Sequence, residues 1–372
     1  MNFSIVNTET SFYGLEKEWQ DMCTRSTHYY FQTFQWMVNW WVYFGQKRDS
    51  KLHIVVAREG DTIVFIWPLI IERKRSWKIL RWMGADINDY CDVLIDDSVE
   101  SPLEYVTAAW NVLKSTEKVD LVEFDKVRAD SVMVPFLQQH KFFCTGKNTA
   151  PYIRLNRWEN WEDYFNHFKK NLRVKTHARH VRALQKKGNV SFITNDTKQI
   201  KKIIDIVIQQ KIDRFVEKGQ SGILEDEVFP EYLLAVANMA KTQNTIHLAV
   251  LCLDETIIAC HLGFLYQGSL YWYIPSFNQE YSKYSPGRIL LEEIIQWCFQ
   301  NNIAMFDFLL GDERYKYQWT DEDVAISSFS TSLSLRGLLY CKWNSGKLKP
   351  LMKKVFNSLP GGLKRKIYFY LK

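Results

Sequence analysis

The sequence predicts two successive domains of mixed α/β structure, and three observations lead to this fold class. The chain has 372 residues, which is more than one ordinary domain needs and a suitable length for two. Apolar residues make up 47% of the sequence, enough for two hydrophobic cores. The same order of strands, loop and helix occurs in both halves of the chain, so each half is expected to form its own mixed sheet.

The first half is predicted to contain three strands in a meander, a loop, a helix and a fourth strand. The strands are rich in Val, Ile and Trp, and Ser101-Pro102 opens a stretch with apolar residues at helical spacing. A helix that leads from a meander into a further strand predicts a mixed sheet. In chain order, these elements are expected at residues 51–57, 63–71, 77–85, 103–113 and 120–125.

The second half repeats this order, and Ser285-Pro286 opens its helix. We therefore expect one domain at residues 1–158, a second domain at 159–345 and a basic amphipathic tail at 346–372. In chain order, the elements of the second half are expected at residues 245–251, 257–265, 268–276, 287–299 and 304–309.

The two helix starts differ in charge and in shape. A helix N-terminus presents unpaired N–H groups and binds phosphate readily. In the second half, Ser285 can cap the helix, Pro286 suits the first helical position, and Gly287 lets a ligand approach the backbone closely. Arg288 adds positive charge, whereas the first half has Leu103 in place of the glycine. These residues favour a phosphate-bearing cofactor in the second half, and an ordinary helix start is the alternative.

A charged residue lies inside the last predicted strand. Asp307 stands between Phe306 and Phe308, where an ionised carboxylate is costly unless it has a partner. It is interpreted either as a general base or as the partner of a buried Arg or Lys. Tyr315 and Lys316 follow in the next loop and are candidate proton donors to a leaving group.

Several short motifs, spread over most of residues 30–320, together resemble one group of transferases. The motifs are Phe31-Gln32 with Trp36, Trp40 and Trp41; Arg173 with Leu184-Gln185-Lys186-Lys187-Gly188; Tyr284-Ser285-Pro286-Gly287; Phe306-Asp307-Phe308-Leu309 with Gly311-Asp312; and Tyr315-Lys316 with Trp319. As a set they resemble the GNAT-type acetyltransferases of the CelD-like group, which is tied to cellulose and exopolysaccharide biosynthesis. The resemblance implies tandem acyl-CoA N-acyltransferase folds, distantly related to the FemABX aminoacyl transferases. It also implies acetyl-CoA or another acyl-CoA as the donor, without a metal.

Transfer from a thioester to an amine needs a neutral amine, a hydrogen-bond donor for the oxyanion and a proton for the leaving thiolate. Asp307 and His261 are the candidate bases, and a structural core histidine is the alternative for His261 because its strand is apolar. Tyr315 and Lys316 are the candidate acids. The predicted cofactor-binding residues are Tyr273 and Ile274, as backbone oxyanion donors, with Tyr284, Ser285, Gly287 and Arg288.

The predicted acceptor-binding residues belong mainly to the first half. Asp89-Tyr90-Cys91-Asp92 follows a strand end and is expected to bind the acceptor across the domain interface through Asp89, Tyr90 and Asp92. A plain turn is the alternative. The remaining predicted acceptor-binding residues are Trp36 and Arg173.

Two segments are strongly basic. The helical stretch at residues 160–188 has an apolar face, and its Lys and Arg either form a solvated surface or contact an anionic acceptor. Nucleic acid is disfavoured because no stacking motif interleaves these charges. The tail at 346–372 alternates Lys with apolar and aromatic residues. It is expected either to contact an anionic membrane surface or to pack on the body of the protein.

The location predicted from sequence is the cytoplasm, with peripheral contact at the inner face of the cytoplasmic membrane through the tail. The seven cysteines are scattered and form no CxxC pair, a pattern that disfavours a disulfide framework and a zinc site. The first residues lack the apolar segment of a signal peptide. The longest apolar run, at residues 63–71, is too short for a membrane helix.

These observations predict an acyl-CoA-dependent N-acyltransferase whose acceptor is an amino group on a sugar of a surface polysaccharide or its precursor. The second domain is expected to bind the donor, and the first, as a degenerate copy, to shape the acceptor cleft. Two alternatives stay open. One is a FemABX-like transferase that uses aminoacyl-tRNA, and the other is a non-catalytic scaffold of a polysaccharide synthesis complex.

Overall fold

The computed structural model of the protein describes residues 2–74, 76–172, 174–195, 197–218 and 226–338. Within these ranges the strands are β1 (Asn2–Val6), β2 (Lys51–Leu52), β3 (Ile54–Glu59), β4 (Thr62–Trp67), β5 (Leu69–Lys74), β6 (Trp77–Trp82), β7 (Leu94–Ile95), β8 (Leu121–Arg128), β9 (Phe143–Arg154), β10 (Val190–Thr194), β11 (Ile246–Leu253), β12 (Thr256–Tyr266), β13 (Ser269–Phe277), β14 (Met305–Asp307) and β15 (Asp323–Ser332). The helices are α1 (Glu9–Gly14), α2 (Glu16–Thr24), α3 (Phe34–Trp40), α4 (Pro102–Thr116), α5 (Met133–Gln139), α6 (Trp161–Phe168), α7 (Val174–Gln185), α8 (Ile200–Lys218), α9 (Phe229–Thr242) and α10 (Pro286–Gln300).

The strands of the described residues form two sheets. A four-stranded antiparallel sheet has the order β1-β3-β4-β7, and an eleven-stranded sheet has the order β10-β11-β12-β13-β14-β9-β15-β8-β6-β5-β2. Two neighbouring pairs are parallel, β6 with β8 and β13 with β14. A helix lies between the members of each pair in the chain, α4 in the first half and α10 in the second. The predicted mixed α/β sheets are therefore confirmed.

Two of the predicted strands are each divided between the two sheets. The run at residues 63–71 forms β4 and β5, which Pro68 separates, and the run at 51–57 forms β2 and β3, which His53 separates. Pro68 has no N–H to donate to a strand ladder, so the ladder is interrupted there. The His53 N–H donates to the Leu69 carbonyl at 3.0 Å. The chain passes from one sheet to the other at this point.

The two halves of the molecule exchange strands. The end of β9, residues 152–154, pairs with β14, and the preceding part of β9 pairs with β15. β15 in turn lies between β9 and β8, so a strand from late in the chain completes the sheet of the first half. The domain boundary predicted after residue 158 stays a prediction, because the sheet continues across it.

Buried apolar side chains form three clusters. One lies beneath α4 and α5, a second lies beneath α10, and the third contains residues of both halves between α3, α8, α9 and the sheet. Trp36 is completely buried in this third cluster. Its ring contacts the rings of Tyr30, Phe31, Tyr232, Phe264 and Tyr273. Such aromatic packing fixes β13 relative to the first half.

Candidate active site

The strands β13 and β14 separate after a short parallel pairing. Ser269, Leu270 and Tyr271 pair with Met305, Phe306 and Asp307, and the pairing ends there. The Phe308 N–H then donates to the Pro151 carbonyl at 3.0 Å, so the chain after β14 follows β9 instead. β13 continues along β12 to Phe277. A gap therefore opens at the carboxyl end of the parallel pair, where α/β sheets bind ligands.

The start of α10 faces this gap. Ser285 has φ 53° and ψ 51°, in the left-handed region, and Pro286 is the first helical residue. The predicted side-chain cap is wrong: the Ser285 hydroxyl caps no helix N–H, and its carbonyl instead accepts from the Arg288 N–H at 3.0 Å. No described residue accepts a hydrogen bond from the Gly287 N–H. The helix start thus presents a free backbone donor and the positive end of the helix dipole.

Gly287 stands close to the end of β13. A Cβ atom added at Gly287 would lie 3.2 Å from Cδ1 of Phe277, closer than ordinary van der Waals contact. The absence of a side chain at this position keeps the passage between the helix start and the strand open. The sequence predicted that Gly287 lets a ligand approach the backbone closely, and this stays a prediction.

A cleft of about 270 Å³ runs from the helix start into the strand gap. Three of the predicted cofactor-binding residues, Ser285, Gly287 and Arg288, line it together with the predicted acid Tyr315. Tyr284 packs partly buried against the cluster beneath α10. The structure therefore brings one predicted proton donor to the same cleft as the predicted phosphate site.

Arg288 is positioned by the segment that follows β14. Its Nη1 donates to Oε1 of Gln318 at 3.1 Å, and its guanidinium carbon lies 5.8 Å from the ring centre of Trp319. This arrangement keeps a positive charge beside the helix start, where an anion is favoured already by the helix dipole. Gln318 was not among the residues that the sequence singled out.

Tyr315 and Trp272 meet inside the cleft. The Trp272 Nε1–H donates to the Tyr315 hydroxyl oxygen at 3.2 Å. Tyr315 is 39% exposed, whereas Trp272 is 4% exposed. The sequence missed Trp272 as a site residue because a strand pattern does not tell which of two successive aromatic residues faces the ligand.

His261 lies behind Trp272. The two rings are stacked, with centroids 4.2 Å apart and an interplanar angle of 16°. His261 Nδ1 is 3.4 Å from Nδ1 of His247, and burial lowers the pKa of His261 well below its usual range. The side chain is completely buried, and none of the described residues is hydrogen-bonded to its Nε2. It is thus a neutral imidazole whose contact with the cleft is through the indole.

The backbone of β13 distinguishes the two predicted oxyanion donors. The Asn278 N–H donates to the Ile258 carbonyl at 2.9 Å, and the same ladder pairs Ile274 with Leu262. Because hydrogen-bonded pairs alternate in an antiparallel ladder, the Ile274 N–H faces β12. The register then shifts, so that Trp272 and Tyr273 together lie opposite Gly263. The Tyr273 side chain is partly buried against Trp36. The ladder therefore disfavours Ile274 as an oxyanion donor, and Tyr273 stays the candidate.

Asp307 lies on the face of the sheet opposite to Phe306. The Tyr90 hydroxyl donates to its Oδ1 at 2.7 Å, and the Leu309 N–H donates to the same atom at 2.8 Å. Burial raises the pKa of Asp307, and the nearby Arg128 opposes this rise. Asp307 thus has a partly buried cationic neighbour and the hydrogen bonds that a carboxylate in an apolar strand requires, and its bond to Tyr90 joins the two halves.

Lys316 is buried beneath the loop after β14. Its Nζ donates to the carbonyls of Leu309, Leu310 and Gly311 at 3.2, 3.1 and 3.1 Å and forms an ion pair with Glu313 at 2.9 Å. A Lys ammonium has three hydrogens, and these acceptors can use all of them. The predicted proton donor Lys316 is placed as a brace for the loop and does not line the cleft.

Of the predicted acceptor-binding residues of the first half, Tyr90 contacts Asp307 directly. Tyr90 stacks edge-on against Tyr29, and the Arg128 guanidinium lies over both rings. Burial raises the pKa of Asp89 to about 6 and that of Asp92 to about 7.

Both carboxylates remain partly exposed. Trp36 lies apart from them, because its Nε1–H donates to Oδ1 of Asn88 at 2.7 Å within the core. Arg173, the last predicted acceptor-binding residue, lies outside the described residues.

The described part of the chain offers neither a membrane-spanning helix nor a metal site. No helix there is both long and apolar enough to cross a membrane. No three His, Cys, Asp or Glu side chains in those ranges are grouped so that they could hold a metal ion. The tail at 346–372, predicted to contact membrane or body, lies outside the described residues.

A known protein family matches the part of the chain that contains the cleft. Residues 171–317 match the family model described as the acetyltransferase (GNAT) domain, and this range contains the gap, α10 and Tyr315. No curated protein matches the sequence significantly.

Similar solved structures cover most of the chain. FemX has a TM-score of 0.61 at 10% identity, over 90% of this chain and 98% of its own. A tandem GNAT protein from the clavulanic acid biosynthesis pathway has a TM-score of 0.51 at 10% identity, over 90% of this chain and 99% of its own. L-PGS from Bacillus licheniformis has a TM-score of 0.52 at 9% identity, over 89% of this chain and 95% of its own. At these identities the likeness concerns the fold, which is that of tandem GNAT-like domains.

Proposed function

We propose that the protein is an N-acyltransferase that moves an acetyl or other acyl group from acyl-CoA to an amino group. One observation carries the proposal. A single cleft has the Gly287 N–H and the Arg288 side chain at one end and the Tyr315 hydroxyl at the other. This is the distribution of groups that a pyrophosphate joined to a thioester needs.

The length of the cleft supports the same donor. Phe277 lies beside the helix start, and Trp272 lies where β13 and β14 converge. Five residues of strand separate them, which is roughly 17 Å at about 3.4 Å per residue. An extended pantetheine arm spans a comparable distance, so a pyrophosphate at α10 brings the thioester beside Trp272 and Tyr315.

The proposed reaction uses groups on both sides of the gap. The amine nitrogen attacks the thioester carbonyl, the Tyr273 N–H stabilises the oxyanion, and the carbon–sulfur bond breaks. Tyr315 gives its proton to the departing thiolate. The nitrogen loses a proton to a carboxylate, for which Asp307, at the end of the parallel pairing, is the candidate. The resulting carboxylic acid then releases its proton to solvent, and the Tyr315 phenolate recovers one from solvent.

The proposed acceptor binds beside the polar groups where the two halves meet. Asp89, Asp92 and Asp307 together with Tyr90 offer hydrogen bonds and negative charge, which favour an amine over an anionic acceptor. Following the resemblance to the CelD-like group, we propose an amino sugar of a surface polysaccharide or its precursor. Contact of the tail with the inner face of the cytoplasmic membrane is part of this proposal.

Isothermal titration with acetyl-CoA tests the donor site. We expect micromolar binding by the wild-type protein and loss of binding in Gly287→Leu, because the new side chain must occupy the passage beside Phe277. Gly14→Leu is the matched control, since no atom lies within 4 Å of a Cβ at that position, and it should bind as the wild type does.

Failure of the wild-type protein to bind acetyl-CoA would contradict the proposal. Titration with aminoacyl-tRNA then separates the two alternatives. Binding of aminoacyl-tRNA favours the tRNA-dependent transferase, and absence of binding to both donors favours the scaffold.

A further inference from the structure

One side chain closes the deep end of the cleft. Trp272 is the first residue of β13 beyond its pairing with β14, and its indole lines the cleft. Although the side chain faces the opening, only 4% of the residue is exposed. The ring centroid of Phe306 lies 5.8 Å from that of the indole. A molecule that enters from α10 therefore meets the indole where the strands converge.

The indole is held in this orientation from two sides. The ring of His261 is stacked on it at 4.2 Å, and Tyr315 accepts the hydrogen bond from its Nε1 at 3.2 Å. The packing behind it is tight. A Cβ added at Gly263 would lie 2.2 Å from the Tyr271 carbonyl oxygen and 2.4 Å from Cε1 of His261. The imidazole therefore has little space to move away from the indole.

We propose that Trp272 restricts the donor to short acyl groups, such as acetyl. This inference rests on the proposed function, since it concerns the acyl end of the same cleft. The volume of the cleft, about 270 Å³, is just below the roughly 300–1,000 Å³ that ligand pockets usually have. With the thioester beside Trp272 and Tyr315, each further methylene of a longer chain must displace the indole. That displacement breaks the hydrogen bond to Tyr315 and the stack on His261.

The other direction out of the cleft does not suit a hydrocarbon chain. On the opposite face of the sheet, the first polar groups beyond the gap are the Asp307 carboxylate and the Tyr90 hydroxyl. A chain placed there would cover Asp307 with apolar surface and separate it from its partners, which is unfavourable for a buried carboxylate. A long acyl group therefore has no apolar alternative to the space that Trp272 occupies.

Binding of a series of donors tests this inference. Free CoA, acetyl-CoA, butanoyl-CoA and octanoyl-CoA are titrated into wild-type protein, Trp272→Ala and Trp272→Phe. We expect the wild type to bind acetyl-CoA about tenfold or more tightly than octanoyl-CoA, because a tenfold ratio corresponds to about 1.4 kcal/mol. Trp272→Ala should abolish or reverse this ratio, and Trp272→Phe should keep part of it.

Trp297→Ala is the matched control. The Trp297 ring contacts that of His247, with centroids 4.7 Å apart and an interplanar angle of 52°, but Trp297 does not line the cleft. Its replacement should leave the ratio between acetyl-CoA and octanoyl-CoA unchanged. Circular dichroism identifies variants that do not fold, and Trp272→Phe preserves a ring at the site if Trp272→Ala is lost for this reason.

The binding results that would overturn this inference differ from those that would overturn the proposed function. Equal or tighter binding of octanoyl-CoA by the wild type overturns the role of Trp272 while the donor class stands. If the folded Trp272 variants keep the wild-type ratio between acetyl-CoA and octanoyl-CoA affinity, the role of Trp272 is overturned as well. Absence of binding by every CoA compound, free CoA included, overturns both.

Discussion

The carboxylates at the junction of the two halves differ in whether a cation compensates them. Asp130 forms a bidentate pair with Arg128, at 3.0 and 2.8 Å, and its pKa is lowered. Asp92 accepts hydrogen bonds from the Ser131 hydroxyl and the Val93 N–H but has no ion pair with any described residue. Burial therefore raises the pKa of Asp92 to about 7. Asp92 stays largely protonated in mildly acidic solution.

This difference predicts a pH-dependent stability. The pKa of Asp92 is 3.8 in the unfolded chain and about 7 in the folded protein, so the protonated side chain favours the folded state. This contribution to stability is complete below pH 3.8 and is lost as the pH rises to about 7. We expect Asp92→Asn to be more stable than the wild type at pH 8, by up to about 4 kcal/mol, since the rise is about three pKa units and each unit is about 1.4 kcal/mol. At pH 4 the difference should be small. Thermal unfolding at both pH values measures it.

Asp130→Asn is the control of opposite sign. It removes the partner of Arg128, so it should lower stability at pH 8. Because each of the two substitutions removes one carboxylate, a general effect of net charge would change both variants alike. Equal stabilisation of both variants at pH 8 would contradict the assignment of the pH dependence to Asp92.

At the scale of residues, the sequence predicted single features better than their contacts. Asp307 and Tyr90 were both singled out, one as a charge in an apolar strand and the other in a polar cluster after a strand. Their hydrogen bond joins positions 217 residues apart and depends on how the halves pack, which no local pattern contains. Trp36 was predicted as an acceptor-binding residue, and Lys316 was predicted as a proton donor from its place in the loop after the strand of Asp307. Their buried hydrogen bonds to Asn88 and to the loop carbonyls could not be read from the sequence.

At the scale of elements, α10 and β13 were predicted closely because each has a strong local signal. Pro286 opens the helix as expected, and the alternating aromatic residues of β13 form a strand. The division of the runs at 51–57 and 63–71 was not predicted. Both runs have high strand propensity throughout, and the second sheet that divides them is a tertiary feature.

The predicted tail, residues 346–372, is an element that can be tested by removal. Its Lys clusters and apolar residues should bind anionic surface lipids, at about 1 kcal/mol for each basic residue near the membrane. We expect the full-length chain to co-sediment with vesicles that contain anionic phospholipid and residues 1–345 to stay in the supernatant. Neutral vesicles serve as the control. Equal and negligible sedimentation of both chains would remove the membrane proposal.

At the scale of the whole molecule, the exchange of β9 and β15 makes the two halves interdependent. β8 has β15 as one neighbour, and β14 has β9 as one neighbour, so neither half completes its sheet alone. The third apolar cluster adds side chains from both halves around Trp36. Such shared elements extend cooperativity across a boundary that would otherwise separate two folding units.

This architecture predicts one unfolding transition. In urea, tryptophan fluorescence and far-ultraviolet circular dichroism should change together, with a single midpoint. Separate chains of residues 1–158 and 159–345 should each be unstable, because β8 and β14 lose a neighbouring strand. Two well-separated transitions of the intact chain, or a stable isolated half, would show that the exchange contributes little.

The position of β15 also has a consequence for synthesis on the ribosome. The strand that fills the place between β8 and β9 begins only at Asp323, near the end of the described chain. A nascent chain that has emerged as far as β9 therefore carries unpaired strand edges at β8 and β9. The edges stay unpaired while the following 170 or so residues are translated, which takes roughly 10–30 s at about 5–20 residues per second. During that interval the edges are open to pairing with other nascent chains, and chaperones that shield exposed strands should matter more for this protein than for one whose halves close in turn.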